Sequence, residues 1–148
     1  MEEEQNEKGQ IGPIRHHGWP VMILLMTVPV SAKSEGNTLG VGPGQEYATI
    51  QAAVDAAKQG SKILVYPGTY NEAVSVTKNN LQIIAQGDGV IVEPPFGRLP
   101  ARFHVLADHV TIRGFDIAYG ADCASAIRFE GSHNSFADNY IYLNHSCL

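Results

Sequence analysis

"YPGTYNE" (Tyr66–Glu72) stands between the apolar run Ile63, Leu64, Val65 and the alternating run Val74, Ser75, Val76. Two strand-like runs joined in this way do not make a simple hairpin, which would favour a two-residue turn such as Asn-Gly. The stretch reads instead as a corner. Val65 ends one short strand, Pro67 blocks further ladder pairing, Gly68 permits a bend, and the chain turns toward Val74 and Val76 on another face. Tyr70 is expected to pack at this corner, and Glu72 to satisfy nearby backbone or face water.

Upstream, "YATIQAAVDAAKQG" (Tyr47–Gly60) places Ile50, Ala53, Val54 and Ala57 at i, i+3, i+4 and i+7. This spacing predicts one short amphipathic helix over about 49–59, with Thr49 as N-cap and Gly60 as its stop. Downstream the period changes to two, in "KILVYPG", "AVSVTK", "NLQIIA" and "GVIVEP", each ended by Gly, Pro, Asn or Asp.

The chain also matches itself. A shift of 24 residues lays Phe103 on Ile127, Val105 on Phe129, His109 on His133, Ile112 on Phe136, Ile117 on Ile141 and Cys123 on Cys147. A shift of 29 lays Val74 on Phe103, Val76 on Val105, Leu81 on Val110 and Ile83 on Ile112, with the extra length in "PPFGRLP". Short-strand repeats with insertions at one corner predict an all-β solenoid, and no segment after Gly60 has the helical period that βαβ crossovers need. In such a coil each strand pairs in parallel with its equivalent one turn on, about 4.8 Å away, so like side chains stack.

The run "YATIQAAVDAAKQGSKILVYPGTYNEAVSVTKNNLQIIAQGDGVIVEP" resembles the opening of right-handed parallel β-helix proteins of the pectin-lyase-like superfamily, which includes pectin methylesterases. "DHVTIRGFDIA" and "GSHNSFADNYIYLN" resemble the parallel β-helix repeats of carbohydrate-binding and sugar-hydrolysing proteins. The resemblance covers about residues 41–148. It implies a right-handed parallel β-helix with an N-terminal capping α-helix, and a polysaccharide partner, a polyuronate or pectin-like glycan, bound or cleaved along an outer face. It also implies Ca²⁺ if the reaction is elimination. The fold alone hosts lyases, hydrolases, esterases, epimerases and binders, so the expectation is part of a polysaccharide lyase or glycoside hydrolase, and the alternative a non-catalytic surface or periplasmic structural or ligand-binding β-helix. The methylesterase resemblance fades after Glu93, and no catalytic residue carries over.

Alternation along "RFHVLA" and "AIRFEG" sends Phe103, Val105, Ile127 and Phe129 inward and His104, Arg128 and Glu130 outward, with Arg128 stacked on His104. Arg113, Asp116, Asp122 and Asp138 add polar groups on other edges, and Tyr140 and Tyr142 add aromatic surface. The candidate glycan-facing set is therefore His104, Arg113, Asp116, Arg128, Glu130, Asp138 and Tyr140; the alternative is the ordinary solvated face of a solenoid. His109 and His133, beside Asp108 and Ser132, lack a third protein ligand and read as corner residues stacked in a turn rather than a metal site. Asn139 reads as a corner amide that satisfies backbone. Cys123 and Cys147 fall on adjacent coils, a spacing compatible either with a disulfide or with two stacked thiols.

The 148 residues, 44% hydrophobic and 17% charged, suffice for one domain with a core. The formal charge of −5 and scattered Lys and Arg argue against nucleic acid as a partner. Residues 1–32 read as a leader: Lys8, Arg15, His16 and His17, then "WPVMILLMTVPV", then "VSA" follow the order of a secretory signal, although "MEEEQNEK" is acidic. The apolar stretch falls short of the roughly 20 residues a membrane-spanning helix needs; a buried strand or hydrophobic anchor is the alternative. Export to a periplasmic or extracellular location follows from the signal reading. Residues 33–44 read as a flexible lead-in and 45–148 as about three coils. The last coil is unfinished at Leu148, which predicts an N-terminal portion of a longer β-helix protein or a truncated frame, with an open coil edge available for self-association.

Overall fold

The computed structural model describes residues 36–93, 101–119 and 125–143. Residues 1–32, read above as a leader, the "PPFGRLP" stretch, Asp122 and both cysteines, Cys123 and Cys147, lie outside them. The strands form three parallel sheets that repeat as a β-solenoid of about 4 turns. Sheet A orders β1 (Thr38–Val41), β2 (Lys62–Val65), β5 (Gln82–Ala85), β8 (Thr111–Arg113) and β11 (Ser135–Ala137). Sheet B orders β3 (Gly68–Asn71), β6 (Val90–Glu93), β9 (Asp116–Tyr119) and β12 (Tyr140–Leu143). Sheet C orders β4 (Val74–Val76), β7 (Phe103–Val105) and β10 (Ile127–Phe129).

The pairing register agrees with the two sequence shifts. Phe103 pairs with Ile127, Ile112 with Phe136, Ile117 with Ile141, Val74 with Phe103 and Ile83 with Ile112. Inward side chains thus build continuous columns, such as Leu39, Ile63, Ile83 and Ile112 under Phe136. Phe103 and Phe115 meet edge to face inside the coil, with ring centres 5.5 Å apart.

The solenoid begins earlier than the composition suggests. Thr38–Val41 is a strand rather than part of a flexible lead-in, because Leu39 and Val41 alternate into the core and Gly40 lies between them. This first strand raises the coil count from three to about 4.

"YPGTYNE" is likewise more than a corner. Tyr66 and Pro67 turn, Gly68–Asn71 is β3, in register with Val90–Glu93, and Glu72 opens the next corner, ahead of β4. The Tyr66 N–H donates to Val41 O in sheet A and the Gly68 N–H to Gly89 O, both at 2.9 Å, so Pro67 marks the change from one sheet to the next. Gly68 does not use a left-handed backbone conformation, and a Cβ there would make ordinary contact with Tyr70. Tyr70 is buried and its hydroxyl donates to Tyr66 O at 2.6 Å and toward Val41 O at 3.3 Å. Burial first, and then the Glu72 charge, push this phenol above its ordinary pKa, which keeps it a donor.

The helix α1 (Ile50–Ala56) buries Ile50, Ala53 and Val54 and packs against β1, β2 and β4. Its seven residues are too few to persist alone. Thr49 Oγ1 accepts the Ala52 N–H at 3.2 Å, as its N-cap position predicts. Glu72 accepts the Ile50 and Gln51 N–H groups at 2.8 Å each, one on each carboxylate oxygen. At the other end Lys78 Nζ donates to Val54 O at 3.1 Å, Ala57 O at 2.8 Å and Asp55 O. A cation on the last carbonyls also complements the helix dipole. Gly60 is not the stop: Ala57 already turns extended, and Gly60, at φ 84°, serves a following turn closed by Ser61 N–H to Lys58 O at 3.0 Å.

Candidate functional site

Alternation puts the predicted polar residues on the outside, but on two separate stretches of it. His104 and Arg128 are register partners on sheet C, above Ser75. Glu130 Oε1 lies 3.0 Å from His104 Nε2 and accepts from Arg128 Nε at 2.9 Å. The His104 hydrogen bond, with Arg128 and His104 charge adding to it, holds the Glu130 carboxyl below its ordinary pKa against a smaller opposing effect of burial. Such a carboxylate is an anion at neutral pH. It is the opposite of the raised pKa that a glycosidase acid requires.

The second stretch follows the corner between sheets A and B. Arg113, the last residue of β8, pairs with Asp138 through Nη2 and Oδ2 at 2.7 Å. Asp138 occupies a left-handed conformation, φ 54°, in the register position that Gly114 fills one coil earlier at φ 84°. Two residues further, Tyr140 pairs with Asp116 along the outer face of sheet B. The Tyr140 and Tyr142 rings stack 5.7 Å apart at 21°, with Tyr140 66% exposed and Tyr142 half-buried. Burial, then the charges of Glu93, Asp116 and Tyr140, raise the Tyr142 pKa. The site is therefore a stacked aromatic pair, Tyr140 exposed and Tyr142 half-buried, set among carboxylates and next to an Arg–Asp pair. Asp122, the remaining polar candidate, lies outside the described residues.

His109 and His133 take left-handed conformations, each at φ 57°, with ring centres 4.8 Å apart, as expected for stacked corner residues. Asn139 does what the corner reading requires, accepting the Phe115 N–H at 2.9 Å and donating to Ile112 O at 3.0 Å. Asn134, which sequence reasoning passed over, repeats the arrangement with Val110 N–H and Ala107 O. Its position 24 residues beyond Val110 was the available signal. Arg102 is the other omission: it is fully buried at the start of sheet C, its Nε donating to Ala118 O at 3.3 Å. Nothing in a period-two pattern marks an arginine as internal.

A cleft of about 310 Å³ lies beside β1 and β3, lined by Gly42, Pro43, Ala48, Gly68, Thr69 and Tyr70. Its one titratable side chain, Tyr70, already donates its proton to backbone carbonyls. Among the described residues there is no group of three or more His, Cys, Asp or Glu that could hold a metal ion. No helix of the described residues is long and apolar enough to cross a membrane. A scan against protein-family models and a search of curated proteins found no match.

Proposed function

We propose that this solenoid is a glycan-binding protein related to the pectin-lyase-like β-helices, and that it holds polysaccharide against the outer face of sheet B. The observation that carries the reading is the stacked Tyr140–Tyr142 pair, which presents the exposed Tyr140 ring to solvent. An aromatic plane accepts the apolar face of a pyranose ring, and neighbouring carboxylates accept hydrogen bonds from its hydroxyls. Asp116 lies beside Tyr140, and the Arg113–Asp138 pair borders the platform.

The surroundings also bear on which glycan. Glu93 and Asp116 act on Tyr142 as negative charges, and Arg113 is already paired with Asp138. A polyuronate, expected from the family resemblance, would meet like charge here, whereas a neutral polysaccharide would not. The reading is therefore binding of a neutral glycan, without turnover by the described residues. Export, suggested by residues 1–32, belongs to the same proposal, as does strand addition at β10, β11 or β12, each the last described strand of its sheet.

Affinity electrophoresis through gels containing a neutral glucan, a galactan or polygalacturonate tests this. Retardation by a neutral glycan that is lost in Tyr140→Ala is the expected result. Mobility unchanged in every gel, or retardation that survives Tyr140→Ala, would reject the platform. New reducing ends or unsaturated product would replace binding with processing.

A further inference from the structure

His109 and His133 occupy one column of the turn between sheets C and A, with Asn80 in the same register position one coil earlier. All three are left-handed, at φ 60° for Asn80 and 57° for each histidine. Backbone bonds lock the column: Asn80 N–H donates to Asp108 O and His109 N–H to Ser132 O, both at 3.0 Å. Side chains lock it again, with Asp108 N–H on Asn79 Oδ1 at 2.9 Å and Ser132 N–H on Asp108 Oδ1 at 2.6 Å. The two imidazoles are thus exposed side chains on a backbone bonded from coil to coil.

Their ring centres are 4.8 Å apart with the planes inclined at 50°. Two imidazoles sharing one metal ion at about 2.0–2.1 Å from each nitrogen have centres roughly 4.5–5 Å apart. The coil repeat of a parallel solenoid is itself about 4.8 Å, so the fold presets the separation that a shared ion requires.

We propose that His109 and His133 form a two-histidine site for a divalent transition ion of the Zn²⁺, Ni²⁺ or Cu²⁺ class, bridging adjacent coils. Imidazole suits these ions. Solvent completes the shell, because the described residues offer no third ligand of the kind structural zinc sites use. A site of this form is open and exchangeable. It clips the turn before β8 to the turn before β11, and binding the folded state alone raises the unfolding temperature with ion concentration.

Asn80 shows how to test it without breaking the turn, because an asparagine already serves at this position. Calorimetric titration with ZnCl₂ and NiCl₂, together with thermal unfolding, would compare the full chain with His109→Asn, His133→Asn and the double variant. The chain is expected to bind one ion at this site. Each single variant should bind it on the order of a hundredfold more weakly, since one of two linked ligands is lost. The ion-induced rise in unfolding temperature should vanish in the double variant, while its unfolding temperature without metal stays near that of the parent. Equal affinity in parent and double variant would place any bound ion on other histidines and overturn the proposal. Absence of a titratable heat and of a temperature shift in the parent would overturn it as well.

Discussion

With no acidic residue in its own first turn, α1 takes its anionic cap from Glu72, 22 residues beyond Ile50. The two oxygens serve two different N–H groups, and each bond is charge-assisted. Glu72→Ala should therefore lower stability by about 1–2 kcal/mol, the range of a lost helix cap, and Glu72→Gln by less, as read from urea unfolding. Gly114 offers a second single-residue test. At φ 84° an L side chain is strained, and a Cβ would meet that of Ala85 at 3.2 Å. Gly114→Ala should cost about 1–2 kcal/mol. Gly114→Asn shares the Ala85 contact but tolerates the backbone better, as Asp138 does in the equivalent position, so it should cost less in the same urea series. The left-handed role of Gly114 was not legible in the sequence. That Glu72 satisfies backbone agrees with the sequence reading, but which backbone was hidden, because the helix that needs it is more than 20 residues away along the chain, beyond the reach of local periodicity.

At the scale of elements, α1 stands where sheet C would need a strand before β4. The Gln51 side-chain amide imitates one: its Oε1 accepts the Ser75 N–H at 2.7 Å and its Nε2 donates to Ser75 O at 3.3 Å. The helix so protects an edge that would otherwise be open to pairing. Gln51→Ala should speed hydrogen exchange at the Ser75 amide far more than at Val105, which lies inside the sheet, and cost about 1 kcal/mol or somewhat more. The helix itself was legible from Ile50, Ala53, Val54 and Ala57, because their spacing reports burial directly. Its partner on β4 was not, since an amide on a helix surface ordinarily faces water. Sheet C carries a pH prediction too. Glu130 titrates below its ordinary range in the folded protein, chiefly through His104. A lowered carboxylate pKa means the stabilisation is fully present above the unfolded value and is lost as pH falls through the folded one. The site is exposed, so the contribution is small and screened by salt. A carbon chemical-shift titration of the Glu130 carboxyl should show its midpoint rising toward the usual glutamate value in His104→Ala. No movement would mean that the His104 bond does not govern it.

For the molecule as a whole, stability is that of a stack in which each coil touches only its neighbours. The stacking order was readable from two sequence shifts because an ungapped parallel register puts like residues over like, Ile83 under Ile112 and Ile112 under Phe136. What side chains do at the two short corners was less readable. There the same geometric need is met by Gly114 in one coil and Asp138 in the next, or by Asn80 and then His109. Alternation sends His104 and Arg128 outward on sheet C, and the sequence sets Arg113, Asp116 and Asp138 on other edges, but it could not say which sheet those edges belong to, since that depends on where each corner lies. Depth in the stack decides the final prediction. Ile112 is completely buried between Ile83 and Phe136, whereas Phe136 is only half-buried and β11 is the last described strand of its sheet. Ile112→Ala removes packing from the coils on both sides and should cost about 2–5 kcal/mol. Phe136→Ala deletes a larger side chain but should cost less, because water already reaches the site. Hydrogen exchange should follow the same gradient, slowest on β5 and β8 and fastest on β11 and β12. If Phe136→Ala proved the costlier of the two, or if all four strands exchanged at one common rate, the coils would unfold as a single unit and nearest-neighbour stacking would not describe this protein.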